Sequence, residues 1–229
     1  MHLTWLGHSA FHLHAGGVDV LIDPFFTGNP TFPEGYEAKL SKVDVVAITH
    51  GHGDHLGDAE RLVKQHRATL VAIYEVCQYL GARGVDNMEP MNIGGTITTH
   101  GLTISMVNAQ HSAAVIDDGT PVTMGDPAGL VIRTAERTVY HAGDTGLFSD
   151  MALIQRLYRP DVGLLPIGDR LTMGPEHAAI ACNEFLDLEV AVPIHHGTWP
   201  LLPGDPTTFR ERVTGTRVDL PKPGETLEL

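Results

Sequence analysis

The chain has 229 residues, 42% apolar and 19% charged, with 28 acidic against 15 basic side chains and a formal net charge of -13. That length suits a single domain, residues 1–229, with a full core. No apolar run approaches the roughly 18 residues of a membrane span, and Met1-His2-Leu3-Thr4-Trp5 has neither a basic region nor a signal-peptide core. A cytoplasmic protein without a membrane partner is expected, and its acidic surface weighs against nucleic acid. Cys77 and Cys182 stand far apart without a pairing pattern, which reads as two reduced, buried thiols. The compositional oddity is 14 histidines, which position must sort.

Leu3 to Leu6, Ala10 to His14 and Val18 to Ile22 read as short strands, the last closed by Asp23-Pro24. Gly28 to Tyr36 is a Pro- and Gly-rich loop, and Val43 to Ile48 is a buried strand. Helical spacing over Asp58 to His66 is followed by a strand, Leu70 to Ile73, and a short helix, Val76 to Leu80. Thr96 to Thr99 and Leu102 to Val107 form a hairpin around His100-Gly101. The polar, Gly- and Asp-bearing stretch from Ser112 to Pro127 reads as a mobile loop. Strands Leu130 to Arg133 and Thr138 to Tyr140 come next, then a helix near Met151 to Leu157 and a strand, Val162 to Leu165. Pro175 starts a helix running to Phe185, Val190 to Ile194 is a strand, and a helix from Pro206 to Val213 precedes a short final strand.

The densest chemistry is Thr49-His50-Gly51-His52-Gly53-Asp54-His55, directly behind a strand. Its glycines permit tight turns, so three imidazoles and a carboxylate leave the end of one rigid element. Those donors suit divalent first-row metals, and with no nearby cysteine the site reads as open rather than structural. The spacing therefore reads as the main ligand loop of a two-metal hydrolase rather than a polar turn that happens to hold histidines. The same pattern, a strand followed at once by His or Asp, recurs at His111, Asp144 and His195. Four strand ends can thus converge on one edge of a layered α/β structure.

Other residues keep two readings. The last ligand is either His195 or His196, since neighbours on a strand point to opposite faces. His8, in a Gly-His-Ser turn, either bonds substrate or a ligand, or is structural. Asp23 either accepts from the imidazoles of the His50 loop, as partners of metal-bound histidines do, or simply forms an Asp-Pro turn. His141 reads as structural, and His2, His12, His14, His66 and His100 as surface or packing residues. The loop from Gly168 to Glu176 precedes a helix N-terminus, and Arg170 within it either reads an anionic group or is solvated.

The order H-x-H-x-D-H, lone His, Asp after a strand, final His resembles the metallo-β-lactamase superfamily. Within it the chain is similar to small metal-dependent hydrolases like L-ascorbate-6-phosphate lactonase. The resemblance is carried by Leu6-Gly7-His8-Ser9-Ala10, Leu21-Ile22-Asp23-Pro24-Phe25, Asn92-Ile93-Gly94-Gly95, His141-Ala142-Gly143-Asp144-Thr145-Gly146, Leu165-Pro166-Ile167-Gly168-Asp169, Met173-Gly174-Pro175-Glu176 and Pro193-Ile194-His195. It implies an α+β, four-layer αβ/βα sandwich with the metals at one edge of two sheets. It also implies one metal on His50, His52 and His111, a second on Asp54, His55 and His195, and Asp144 bridging them. The family pattern favours His195 over His196.

The expected activity is hydrolysis of an ester-like bond, a lactone or phosphoester, in a small anionic metabolite by a hydroxide bridging two divalent cations. Asp54 would orient the nucleophile, and His8 and Asp169 are candidates for proton donation to the leaving group. The donors suit Zn, Mn, Fe, Co or Ni; the wider resemblance favours Zn and the lactonase-like one Mn. The rivals are a phosphodiesterase or nuclease, against which the acidic surface stands, and a non-catalytic metal-binding relative. Homo-oligomers are common in similar proteins.

Overall fold

The computed structural model describes residues 1–229. Its first sheet runs, in spatial order, β16 (Thr226–Glu228), β1 (His2–Trp5), β2 (Phe11–Ala15), β3 (Val18–Ile22), β4 (Val45–Ala47), β5 (Thr69–Ile73) and β6 (Met88–Met91). The second runs β15 (Arg217–Val218), β14 (Val190–Ile194), β13 (Val162–Pro166), β12 (Thr138–His141), β11 (Ala128–Arg133), β8 (Leu102–Asn108) and β7 (Thr96–Thr99). A separate hairpin joins β9 (Ala114–Asp117) to β10 (Thr120–Thr123).

Alternation along the strands explains why the two sheets pack face to face. Leu130, Ile132, Val139, Val162, Leu164, Val190, Val192 and Ile194 of the second sheet share one buried cluster with Leu3, Leu13, Val20, Ile22 and Val45 of the first. Their neighbours Val131, Tyr140, Leu165 and Ala191 point the other way. There they meet α4 (Met151–Tyr158), α5 (Pro175–Ile180) and α6 (Pro206–Arg212) through Met151, Ile154, Ala178 and Phe209. On the far side, α2 (Ala59–His66) and α3 (Tyr74–Gly81) bury Ala59, Leu62, Val63, Val76 and Cys77 against the first sheet. Apolar residues at i, i+3 and i+4 along α2 face the core in the manner of an amphipathic helix. Helix, sheet, sheet, helix is the four-layer sandwich expected. Both free cysteines are buried, and burial pushes each thiol up to about 12.

Strand direction fixes where the site lies. β3 and β4 are parallel, and β1 is antiparallel to β2, itself antiparallel to β3, so the ends of β1, β3 and β4 share one edge. β12, β13 and β14 are parallel, and β8 is antiparallel to β11, itself antiparallel to β12, so those four ends share an edge as well. His8, Asp23, His50, His111, Asp144, Gly168 and His195 all follow these ends.

Three features differ from the expectation. Ser112 to Pro127 contains β9 and β10, turned at Asp118 and Gly119 with φ of 47° and 77°. Both residues lie in the left-handed region of a type I′ turn, which Asp-Gly favours. β6 carries Pro90, and as an edge strand it tolerates a residue without an N–H. The helix from Pro175 is regular only to Ile180, then widens into a π turn over Ala181–Phe185. No helix is long and apolar enough to cross a membrane.

Candidate metal centre

The His-rich loop folds around a single helical turn, α1 (Gly53–Leu56), in which His55 N and Leu56 N both donate to the His52 carbonyl. This turn separates Asp54 and His55 from His50 and His52. Two groups of donor atoms form, each spanning no more than 4.8 Å: His50, His52, His111 and Asp144, and His8, Asp54, His55 and His195. Asp144 faces both, with Oδ2 at 3.6 Å from His111 Nε2 and 2.9 Å from His195 Nε2, and Oδ1 at 3.3 Å from His55 Nε2. All seven residues proposed from sequence as ligands meet here. His8 joins the second group as an eighth, which the sequence reading placed beside the site without counting it a possible ligand.

Asp23 organises the loop from beneath. Fully buried, it accepts from Thr49 N at 2.8 Å and Thr49 Oγ1 at 2.6 Å, and its Oδ2 lies 2.8 Å from His55 Nδ1. Since the Thr49 hydroxyl donates to Asp23, its oxygen accepts from His50 Nδ1 at 3.0 Å. One carboxylate thereby fixes the protonated nitrogen of His55 directly and of His50 through Thr49, and turns Nε2 of each into the site, that of His55 unpartnered and that of His50 facing His52 Nδ1. Gly143 lets the Asp144 loop nest on this base: its φ is 62°, and a Cβ there would lie 2.7 Å from the Ala128 carbonyl and 3.0 Å from Thr49 Cβ.

Whether these donors fit cations is answered by orphaned atoms. His55 Nε2 and Asp144 Oδ1 are buried without a hydrogen-bond partner although only 3.3 Å apart. His50 Nε2 and His52 Nδ1 lie 3.0 Å apart with the other His50 nitrogen already committed. The buried, unpartnered His55 Nε2 and Asp144 Oδ1 leave room for a positive charge between them, and imidazole with carboxylate is the donor set that divalent metals take. Burial opposes charge on His55, but Asp144 and Asp23 outweigh it and raise its pKa well above the ordinary value. Burial also opposes ionisation of Asp144, yet His55 and His195 hold it well below the carboxylate range. Fully buried His50 is pushed well below its ordinary value, chiefly by desolvation, and stays neutral.

His8 closes the second group. Its Nε2 lies 3.1 Å from Asp54 Oδ2 and its Nδ1 2.8 Å from Thr198 Oγ1, while its carbonyl accepts from His195 N and Trp5 Nε1. Burial pushes the imidazole down to about 4. His8, Asp23, Asp169 and His195 all have φ between 46° and 71°, a left-handed backbone that non-glycine residues adopt at a cost and that collects at functional sites.

The remaining sequence candidates lie apart. His196 turns away and stacks on Trp5 at 5.5 Å. His141 bonds the Ser9 carbonyl and the Gly143 N–H. Exposed Asp169 bonds none of the eight residues; its carboxylate would sit 2.8 Å from a Cβ at Gly174. Arg170 is exposed and makes no ion pair.

The family described as β-lactamase superfamily domain matches residues 19–196. A UPF0173 metal-dependent hydrolase of Methanopyrus kandleri is 50% identical over 232 residues, and one of Chelativorans sp. 47% identical over 234, each covering 100% of both chains. Among solved structures, Igni18, a metallo hydrolase of Ignicoccus hospitalis, superposes with a TM-score of 0.89 at 38% identity, covering 100% of this chain and 98% of that one. An isothiocyanate hydrolase from Delia radicum gut bacteria shares the fold, with a TM-score of 0.77 at 21% identity over 100% of this chain and 99% of its own. With a two-cluster donor site at the edge of a double sheet and relatives aligned end to end, the chain belongs to the UPF0173 metal-dependent hydrolases of the metallo-β-lactamase superfamily.

Proposed function

We propose that the protein hydrolyses an ester-like bond, a lactone or phosphoester, in a small molecule, with two divalent cations, zinc or manganese, as cofactor. The observation that carries this reading is Asp144, whose two oxygens face nitrogen donors from both groups, with Oδ1 buried and unpartnered. His50, His52 and His111 would hold one cation and Asp54, His55 and His195 the other, with Asp144 shared. Cations bound there lower the pKa of a water toward neutrality and polarise the oxygen of the bond to be cleaved.

The protein's own residues do the rest. Asp54 is the carboxylate of the site open to solvent, its side chain 26% exposed against 3% for Asp144. His8 holds its Oδ2, so Asp54 is fixed in orientation and placed to align an entering water. His111, with 15% of its side chain exposed, marks the opening on the other side. The sequence resemblance to L-ascorbate-6-phosphate lactonase puts lactones among the first substrates to try.

The test is turnover of lactones, carboxylic esters and phosphodiesters by protein stripped of metal and reloaded with zinc or manganese. Metal-dependent cleavage of one class supports the reading. No turnover of any class with either metal, in protein shown to have bound it, would refute it.

A further inference from the structure

We propose that the Asp54 side of the centre opens onto an aromatic subsite, formed by Trp199 and Phe25, that binds an apolar group of the substrate. The proposal rests on the hydrolase reading above and narrows it to carboxylic esters or lactones carrying an apolar chain or ring.

Access sets the location. In the second donor group the side chains of His8, His55 and His195 are no more than 1% exposed, whereas Asp54 is 26% exposed. A substrate reaching this half of the site therefore passes Asp54. The wall beside Asp54 is aromatic. His8, 3.1 Å from the Asp54 carboxylate, meets Trp199 edge-on at 5.1 Å and Phe25 edge-on at 5.8 Å, and those two rings lie 5.9 Å from each other. Phe25 is buried beneath, while Trp199 is half-buried and keeps part of its surface open.

The segment carrying Trp199 is braced. Thr198 bonds His8, Leu202 N donates to the Trp199 carbonyl at 2.9 Å, and Gly204 lies so close under Ile167 that a Cβ would fall 1.6 Å from its carbonyl oxygen. This last contact packs the 196–204 segment against the 168–174 loop. Each loop exposes one leucine, Leu201 at 42% and Leu171 at 48%. A braced, partly open tryptophan with apolar neighbours is suited to gripping apolar surface at little conformational cost.

Charge points the same way. Phosphate and carboxylate groups are held by Arg and Lys. No Arg or Lys forms a hydrogen bond or ion pair with any of the eight donor residues; the ion pairs of Arg61, Lys64, Arg83, Arg137, Arg212 and Arg217 lie elsewhere. Arg170, on the loop between β13 and α5, stands in solvent. The side chains fixed beside Asp54 are thus aromatic rather than cationic, which suits an apolar group there, while an anionic group of the substrate would be met by the cations themselves.

The experiment measures chain-length dependence on zinc-loaded protein in two ways. Straight-chain alkyl hydroxamates from acetyl to octanoyl are titrated calorimetrically, and kcat/KM is measured on the matching p-nitrophenyl esters. Burial of each added methylene predicts a gain of roughly fourfold in hydroxamate affinity and in kcat/KM until the subsite is filled. Trp199→Ala should flatten both dependences and Trp199→Phe should keep most of them, while Leu157→Ser, on the exposed face of α4, should leave the slope unchanged. Equal values for acetyl and octanoyl in the wild type, a slope that survives Trp199→Ala, or no hydroxamate binding at any length would each overturn the proposal. The wild-type slope decides even if Trp199→Ala does not fold. Hydroxamate affinity that rises with length without turnover of any ester would support the subsite and count against the hydrolase reading, so the two can fail separately.

Discussion

Replacing Asp23 with asparagine tests how the donor nitrogens are set. The carboxylate accepts at 2.8 Å from Thr49 N, at 2.6 Å from the Thr49 hydroxyl and at 2.8 Å from His55 Nδ1, the last two on one oxygen. An amide must place its NH2 against one of these positions. If it replaces Oδ2, the hydroxyl and the imidazole N–H both face a donor. The hydroxyl can rotate, but His55 can avoid the clash only by moving its proton from Nδ1 to Nε2, the nitrogen aimed at Asp144. That removes a lone pair from the second donor group, and the rotated hydroxyl loosens His50 in the first. Changes of this kind, one bond behind a ligand, weaken metal binding by about 10–100-fold, equal to roughly 1.4–2.7 kcal/mol. Competition against a chelator, fitted for two sites, should show one site weakened by that factor and the other less, with circular dichroism unchanged. Unaltered affinity at both sites would refute the reasoning and return Asp23 to the role of a turn residue.

Asp54→Ala or His55→Ala should lower turnover by roughly three orders of magnitude or more with the fold intact, whereas His196→Ala should leave metal content near wild type; equal damage from His195→Ala and His196→Ala would sink the ligand assignment. Acid should destabilise the protein through His196, which burial pushes down to about 4 from an ordinary 6.5. The folded pKa of this base is depressed, so the unfolded chain takes up the proton first, and stability is full above the unfolded value and falls as pH drops toward the folded one. Between about pH 7 and about pH 4.5 urea melts should show the wild type losing about 2 kcal/mol more than His196→Phe, and parallel losses would contradict this. Gly168→Ala would place a Cβ 2.5 Å from the His195 carbonyl oxygen and 2.9 Å from its Nδ1. It should cost about 1–3 kcal/mol by overpacking and reduce metal retention on dialysis, and retention equal to wild type would show that His195 has room to move.

The metal loop was legible in sequence because its signal is local: a β-branched strand, small residues for the turn, and donors at fixed spacing. The later donors were legible because each follows a strand directly, and strand direction carries all of them to one edge. What escaped was either non-local or masked by composition. The bond between His8 and Thr198 joins residues 190 positions apart, and nothing in Gly-His-Ser announces it. Asp23 reaches His55 across 32 positions, so its role was separable from a plain Asp-Pro turn only in three dimensions. The β9–β10 hairpin was obscured by polar residues, although Asp118-Gly119 between Val115 and Val122 carried the turn signal. β6 was hidden by Pro90, which argues against a strand everywhere except at an edge.

The most direct test of the central claim is the number of divalent metals per chain, measured by mass spectrometry on untagged protein beside Asp144→Ala and His196→Ala. Two donor groups sharing one carboxylate require two metals in the wild type and in His196→Ala, and fewer in Asp144→Ala. One metal or none in the wild type, or two retained without Asp144, would contradict the account.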